Sequence, residues 1–317
     1  MTEQNTDLDF SYDAVIIGGG AAGLSAAQAL GRSLRRTLVI DGGAPRNRFA
    51  SHMHNVLGLD GTPPHELLAR GRAEAAAYGV EFVTGEVGSV REDAGGVLLD
   101  ATINGVPRTV AARALLLATG AVDELPSVPG LAEYWGGSVL HCPYCHGWEV
   151  RGSRLGVLAT SPGSIHQVLL ARQWSDRVTV FAAGLGVLDP ETERRMRARG
   201  MEIVWEPVEE LLGNGASLTA ARTTDGSLHE LDAVLTMSAV RPRDAVVSAL
   251  GLARADTPVG SFIAVDPAGR TSHPRVWAAG NVVSPMATVP IAMGGGAQAG
   301  GAMNWALVEE DFARAVA

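Results

Sequence analysis

The residues best suited to chemistry in this 317-residue chain lie in one run, His141-Cys142-Pro143-Tyr144-Cys145-His146-Gly147-Trp148-Glu149. Cys142 and Cys145 are the chain's 2 cysteines. A Cys-x-x-Cys pair at a helix start favours a thiolate and can close and open a disulfide reversibly. Zinc is the competing use, because His141 and His146 flank the pair and would complete four ligands. Ligands crowded into so short a run would strain a tetrahedral site, and there is no second Cys-x-x-Cys, so no metal is expected. Inert buried thiols are the remaining reading, which the redox spacing argues against. His146 adds an imidazole, whose unperturbed pKa of about 6.5 suits proton transfer near neutrality; a surface histidine is its plainer reading. Tyr144 and Trp148 read as an aromatic wall for a small heterocycle or as core packing. Glu149 reads as a favourable charge for the helix's first turn.

These groups need elements to position them. Ala14–Ile17 is a short β-branched run that ends in Gly18-Gly19-Gly20-Ala21-Ala22-Gly23, followed by the Ala-rich stretch Leu24–Leu30. That is a strand, a tight turn and a helix, and a second strand, Thr37–Ile40, ends in Asp41. The spacing fits a βαβ dinucleotide unit, with glycines for the turn, for backbone approach to a pyrophosphate and for helix packing, and an acid for a ribose hydroxyl. A strand at Ala114–Leu117 closes on Ala118-Thr119-Gly120. A second strand–helix–strand pattern covers Arg154–Thr160, Ser164–Trp174 and Val178–Phe181. A third block, from about Ala245, holds the strand Val276–Ala279 and a Gly-rich helix, Pro290–Leu307, with proline in its first turn. His52 and His54, beside Asn55, read either as loop surface groups or as groups that reach a substrate, and the surface reading is the plainer. The run Glu193–Arg199 reads as a solvated helix face rather than a nucleic-acid site.

Composition narrows the class. The chain is 46% hydrophobic and 19% charged, with a mean hydropathy of +0.13, which excludes disorder for the bulk. Its 25 basic residues, all arginine, against 34 acidic ones give a formal charge of -9, so neither nucleic acid nor an anionic membrane is an expected partner. The absence of lysine excludes Schiff-base chemistry and a P-loop lysine. Met1–Phe10 is polar and acidic, and no apolar run approaches the ~18 residues of a membrane span, so a soluble, cytoplasmic protein is expected.

The order of Gly18–Gly23, Ala118-Thr119-Gly120, the cysteine pair and Ala278-Ala279-Gly280-Asn281 resembles the low-molecular-weight thioredoxin reductase family of flavoproteins over nearly the whole chain. The resemblance implies an α/β fold of two Rossmann-like doubly wound domains and a homodimer. Residues 1–121 and 245–317 would form a discontinuous FAD domain, and residues 122–244 a pyridine-nucleotide-type domain carrying the cysteines. It implies FAD contacts from Gly18, Gly20, Ala22, Gly23, Asp41, Arg46, Asn55 and Val87, and from Ala118, Thr119, Gly120, Gly280, Asn281 and Val289.

The departures point to a narrower relationship. Where that family has glycines and a basic cluster for NADPH, this chain has Ala159, Ser161 and Ser164 with Pro162 intruding, and Ala182-Ala183-Gly184; Cβ atoms at glycine positions obstruct the backbone's approach to phosphate. His146 replaces an acid and Asn281 an aspartate. Cys-Pro-Tyr-Cys-His-Gly-Trp-Glu with a degraded nucleotide motif is similar to the FAD-dependent dithiol oxidases of holomycin, gliotoxin and romidepsin biosynthesis. That likeness implies that Cys142 exchanges with a small-molecule dithiol, that Cys145 lies next to the flavin and passes it electrons, that His146 moves protons, and that O2 is the acceptor. An NADPH-dependent reductase of a thioredoxin-like protein, or a flavin-binding redox sensor, are the alternatives.

Overall fold

The computed structural model describes residues 12–215 and 217–317, so Met1–Phe10, and the reading made of it, lie outside the described residues. The chain divides into two compact units. One takes the described residues up to Arg46, Pro64–Val122 and Val240–Ala317; the other takes Asn47–Pro63 and Asp123–Ala239. The expected division kept residues 1–121 together, whereas the structure packs the 47–63 excursion with the second unit. Close contacts hold it there: a Cβ on Gly136 would lie 2.6 Å from the Phe49 side chain, and the Asn55 amide donates to Tyr144 O at 3.0 Å.

In the first unit β1 (Tyr12–Ile17), α1 (Ala21–Arg32), β2 (Thr37–Asp41), α2 (Pro64–Ala77), β3 (Glu81–Asp93), β4 (Gly96–Ile103) and β5 (Val106–Leu117) precede the strand Val276–Ala278 and the C-terminal helix Val289–Arg314. β1 lies parallel between β2 and β5, with Ala14 opposite Thr37 on one side and Ala114 on the other. β3 extends the sheet beyond β2, and Val276–Ala278 extends it beyond β5. Both faces are covered, which is why β1 reads as a continuous apolar run. Val15, Ile17, Leu115 and Leu117 pack on one face; Ala14, Ile16 and Leu116 meet α1 and the C-terminal helix on the other.

The strand expected at Ala114–Leu117 is the end of a longer one. The second half of β3 and the first half of β5 leave the parallel sheet and pair antiparallel with β4. The C-terminal helix is also longer than expected, because ion pairs hold its last turns: Glu310 to Arg275 and Arg314, and Asp311 to Arg35 and Arg113. Its glycines let it press on α1, where a Cβ at Gly296 would lie 2.0 Å from Ala22 O.

The second unit has a five-stranded parallel sheet in the order 202–204, 178–181, 155–158, 233–236, 139–140, and a three-stranded antiparallel sheet of Val208–Asn214, Ser217–Thr223 and Leu228–Glu230. Its helices include α3 (Pro143–His146), α4 (Ile165–Ala171) and α5 (Pro190–Ala198). The helix expected at Ser164–Trp174 is shorter, starting after a 3-10 turn at Pro162–Ser164. The arginine run lies on α5, where Arg194 pairs with Glu191 and Arg197 with Glu193 on the exposed side while Met196 is buried. Among the described residues no helix is long and apolar enough to cross a membrane.

Candidate active site

The cysteine pair follows the edge strand Val139–Leu140, at the carboxyl end of a parallel sheet where ligand sites of α/β folds gather. Cys142 and Cys145 form a disulfide with their Cα atoms 5.2 Å apart. Cys142 caps α3, Pro143 is its first residue, and the Cys145 amide donates to Cys142 Sγ at 3.1 Å. A single helical turn thus brings the two sulfurs together and supplies an N–H that stabilises a thiolate at Cys142.

Buried contacts seat this turn on α4. Gln167, itself buried, donates from Nε2 to His141 O at 2.7 Å. Gly147 touches the Trp174 ring so closely that a Cβ would lie 2.5 Å from it, and Tyr144 meets Trp174 edge-on at 5.8 Å. Tyr144 and Trp148 are 62% and 67% exposed, which rules out core packing; the Arg151 guanidinium lies over the Trp148 ring at 4.1 Å.

His146 is half-buried and not a surface group. Its Nδ1 is buried without a hydrogen-bond partner among the described residues. Burial holds its pKa below the ordinary histidine value; the charge of Glu149 and a hydrogen bond to the Cys142 backbone oppose that shift, while His54 adds to it. The contacts of His54 are what the sequence reading did not foresee. Its Nδ1 is 3.3 Å from Asp60 Oδ2 and its Nε2 is 3.3 Å from Glu149 Oε1. No local pattern joins positions 54 and 149, so nothing in the sequence signals that contact. Glu149 accordingly faces a histidine rather than merely serving the helix start.

The turn after Leu155–Leu158 is closed by its own side chains. Ser164 Oγ accepts the amides of Thr160 at 3.1 Å and Ser161 at 3.4 Å. Gly184 presses on the same turn, where a Cβ would lie 2.3 Å from Ala159 O.

In the first unit three turns follow the carboxyl ends of adjacent parallel strands: 18–20 after β1, 118–120 after β5, and 279–281 after Val276–Ala278. Backbone bonds lock them together, from Ala118 N to Ile17 O at 2.9 Å and from Ala279 N to Leu117 O at 3.0 Å. Gly18 has a φ of 105°, open to glycine alone at this contact, since a Cβ would lie 2.4 Å from Ala118 O. Gly23 packs against Gly18 O, where a Cβ would lie 1.9 Å away, whereas a Cβ on Gly20 meets nothing within 4 Å. Gly20 caps α1 with no side-chain bond, and the first intrahelical bond runs from Leu24 N to Gly20 O. The amides of Ala21, Ala22 and Gly23 therefore have no partner within the helix and face an open approach, as an anion requires.

Asp41 Oδ1 accepts the amides of Gly19 and Gly43 at 3.1 and 3.2 Å, and its Oδ2 takes Arg72 at 2.8 Å, so the carboxylate braces the glycine turn. Thr119 Oγ1 donates to Arg243 O at 2.6 Å. Asn281 Nδ2 faces the carbonyls of Ser284, Pro285 and Ala287 at 3.0, 3.2 and 3.0 Å, and Arg46 donates to Pro285 O. Val289 opens the C-terminal helix, and Ala22 and Gly280 lie against each other. The Val87 side chain is in the core. Asn55 belongs to the second unit, where its side-chain amide donates to Tyr144 O.

The family described as pyridine nucleotide-disulphide oxidoreductase matches residues 12–296. Thioredoxin reductase tcpT of Claviceps purpurea (strain 20.1) is 34% identical, covering 91% of this chain and 92% of the relative. Thioredoxin reductase sirT of Leptosphaeria maculans is 30% identical, covering 95% and 96%. The crystal structure of HlmI matches with a TM-score of 0.90 at 41% identity, covering 97% of this chain and 96% of that one. An oxidoreductase from Agrobacterium tumefaciens matches with a TM-score of 0.88 at 36% identity, covering 94% and 99%.

Proposed function

The chain belongs to the pyridine nucleotide-disulphide oxidoreductase family, whose members bind FAD, and from that premise we propose that it oxidises a small-molecule dithiol to an intramolecular disulfide, with O2 as the final electron acceptor and H2O2 as the second product. The first unit is the FAD domain: open amides above Gly20, braced by Asp41, fit a pyrophosphate. The Thr119–Gly120 turn, Asn281 and Arg46 sit on the neighbouring turns that would hold the rest of the cofactor. The second unit carries the cysteines.

A substrate thiolate attacks Cys142 Sγ, the Cys142–Cys145 bond breaks, and Cys145 leaves as a thiolate. The second substrate thiolate then attacks the substrate sulfur of the mixed disulfide. The product closes, and Cys142 leaves as a thiolate that the Cys145 amide stabilises. The dithiol's electron pair now rests on the two cysteines. FAD held by the first unit would supply the two-electron acceptor chemistry that lets Cys142 and Cys145 return to their disulfide, with O2 as the final acceptor. His146, held neutral by burial, accepts protons as the substrate thiols ionise and returns them as the cycle closes. The exposed Tyr144 ring offers a flat apolar surface on which a substrate ring can lie.

The observation that carries this direction of electron flow is the Ser164 hydroxyl, which holds the amides that a dinucleotide turn would offer to the NADPH pyrophosphate. The names of the fungal relatives favour the opposite flow, from NADPH to a thioredoxin-like disulfide. One experiment separates the two. The holoprotein is mixed anaerobically with NADPH and, separately, with a small near-vicinal dithiol, and flavin absorbance is followed by stopped flow. Bleaching by the dithiol alone supports the oxidase. Rapid bleaching by NADPH with transfer to thioredoxin overturns it.

A further inference from the structure

Two side-chain amides hold the peptide groups that precede the two cysteines. The buried Gln167 donates from Nε2 to His141 O at 2.7 Å, and Asn55 donates from Nδ2 to Tyr144 O at 3.0 Å. The second bond reaches the sulfur that the substrate meets. Tyr144 O and the Cys145 N–H belong to one planar peptide group, with carbonyl and N–H pointing opposite ways. That N–H donates to Cys142 Sγ at 3.1 Å and is shared with Cys142 O, also at 3.1 Å. Asn55 Nδ2, the Tyr144–Cys145 peptide and Cys142 Sγ therefore form one continuous hydrogen-bonded chain. Bonds in such a chain polarise one another, so a donor on the carbonyl makes the N–H a stronger donor to sulfur.

The backbone around Asn55 is anchored for this contact. Asn55 has a left-handed φ of 62°, a region that asparagine enters more readily than most side chains. Its own N–H is taken by Asp60 Oδ1 at 3.0 Å. Leu59 N to Val56 O and Gly61 N to Met53 O, each 2.9 Å, close the loop, and the Met53 and Val56 side chains on either side are buried. An exposed amide is thus carried on a fixed turn.

We propose that Asn55 is a positioning residue for exchange at Cys142: by holding Tyr144 O it keeps the Cys145 N–H aimed at Cys142 Sγ and so stabilises the Cys142 thiolate. Its role in turnover rests on the oxidase reading; its effect on the thiol does not. In the step concerned, the second substrate thiolate attacks the substrate sulfur of the mixed disulfide. A substrate S–S bond forms, the bond to Cys142 breaks, and Cys142 keeps that bond's electron pair as a thiolate. No proton or electron passes through Asn55. A better stabilised thiolate leaves faster. The titratable groups around the turn are His141, His146 and Glu149 on its own segment and His54 and Asp60 on the loop, while α4 presents the uncharged Gln167. Asn55→Gly leaves all of them in place and suits the left-handed φ, so it removes the side-chain bond without straining the backbone.

The test is the pH dependence of iodoacetamide alkylation in the reduced holoprotein, followed by mass spectrometry with one thiol present at a time. Cys145→Ser keeps the backbone N–H at 145 and reports Cys142; Cys142→Ser reports Cys145. Asn55→Gly should raise the Cys142 midpoint by about half a unit or more and leave the Cys145 midpoint in place. Asn55→Asp, which sets a carboxylate against Tyr144 O, should raise the Cys142 midpoint at least as far. With both cysteines present, Asn55→Gly should slow dithiol-driven flavin reduction about twofold or more. A Cys142 midpoint that stays put in either variant overturns the proposal, and so do equal rises at both thiols, which mark a general loosening of the turn. A raised Cys142 midpoint with flavin reduction at the parent rate overturns the role in the reaction. If no dithiol reduces the parent's flavin, the oxidase reading fails by itself and the midpoints still decide what Asn55 does to Cys142.

Discussion

The Ser164 hydroxyl lies 3.1 Å from the Thr160 amide, so a side chain of the turn itself takes an N–H that a dinucleotide-binding turn presents to phosphate. NADPH is expected neither to bleach the flavin nor to stabilise the protein. Ligand at a hundred times its dissociation constant adds about 2.7 kcal/mol of stability, which a thermal melt registers. A melt unchanged by millimolar NADPH agrees with the structure; a clear rise contradicts it.

Two glycines of one turn should fail differently. A Cβ on Gly20 meets no protein atom, whereas one on Gly23 would lie 1.9 Å from Gly18 O. Gly20→Val should fold normally and purify without flavin, because its branches fill the approach to the α1 amides. Gly23→Ala should destabilise the fold itself by about 1–3 kcal/mol, as overpacking does. Circular dichroism melts and the flavin-to-protein absorbance ratio of each variant would separate the two effects.

The cysteines have separable tasks. Cys142→Ser should retain flavin yet lose exchange with the dithiol, since the remaining thiol cannot form the pair's disulfide. Cys145→Ser should still form a mixed disulfide at Cys142, visible by mass spectrometry, but should not pass electrons onward. Oxygen uptake by Cys145→Ser at the parent rate would remove Cys145 from the pathway.

Asn281 performs a task that an aspartate cannot. Its amide faces three backbone carbonyls of the 284–287 loop. Asn281→Asp would set a carboxylate against those oxygens, at a cost of about 1–3 kcal/mol for the lost pairing. The expected outcome is a lower melting temperature and weaker flavin retention; a variant with parent-like stability would show that the loop holds without these bonds.

Burial holds His146 neutral to a lower pH than a free histidine. The acid limb of dithiol-driven flavin reduction should therefore have its midpoint below the ordinary histidine value, and His146→Asn should flatten that limb. The linkage has a definite sign. With its folded-state pKa depressed, His146 binds a proton more readily in the unfolded chain, so its contribution makes stability fall as pH drops through the histidine range. Chemical denaturation of parent and His146→Asn across that range would measure the difference.

The sequence by itself determined the local devices. The strand–turn–helix from Ala14 to Leu30, the acid after β2, the turn at Ala118–Gly120 and the disulfide-forming spacing of Cys142 and Cys145 each depend on backbone preferences or on separations within a turn or two, and these are written in residue order. Tertiary structure decided the partnerships. Asn55 holds Tyr144, 89 positions away. His54, read as a surface group, is clasped between Asp60 and Glu149, and Asp41 braces the glycine turn it follows. The Ser164 substitution was legible as a missing glycine, but only the folded turn showed its hydroxyl accepting the amides of Thr160 and Ser161. The 47–63 excursion crosses to the second unit for the same reason: side-chain hydrogen bonds and close contacts between distant segments arise from packing, and one chain's alternation of polar and apolar residues carries no address for them.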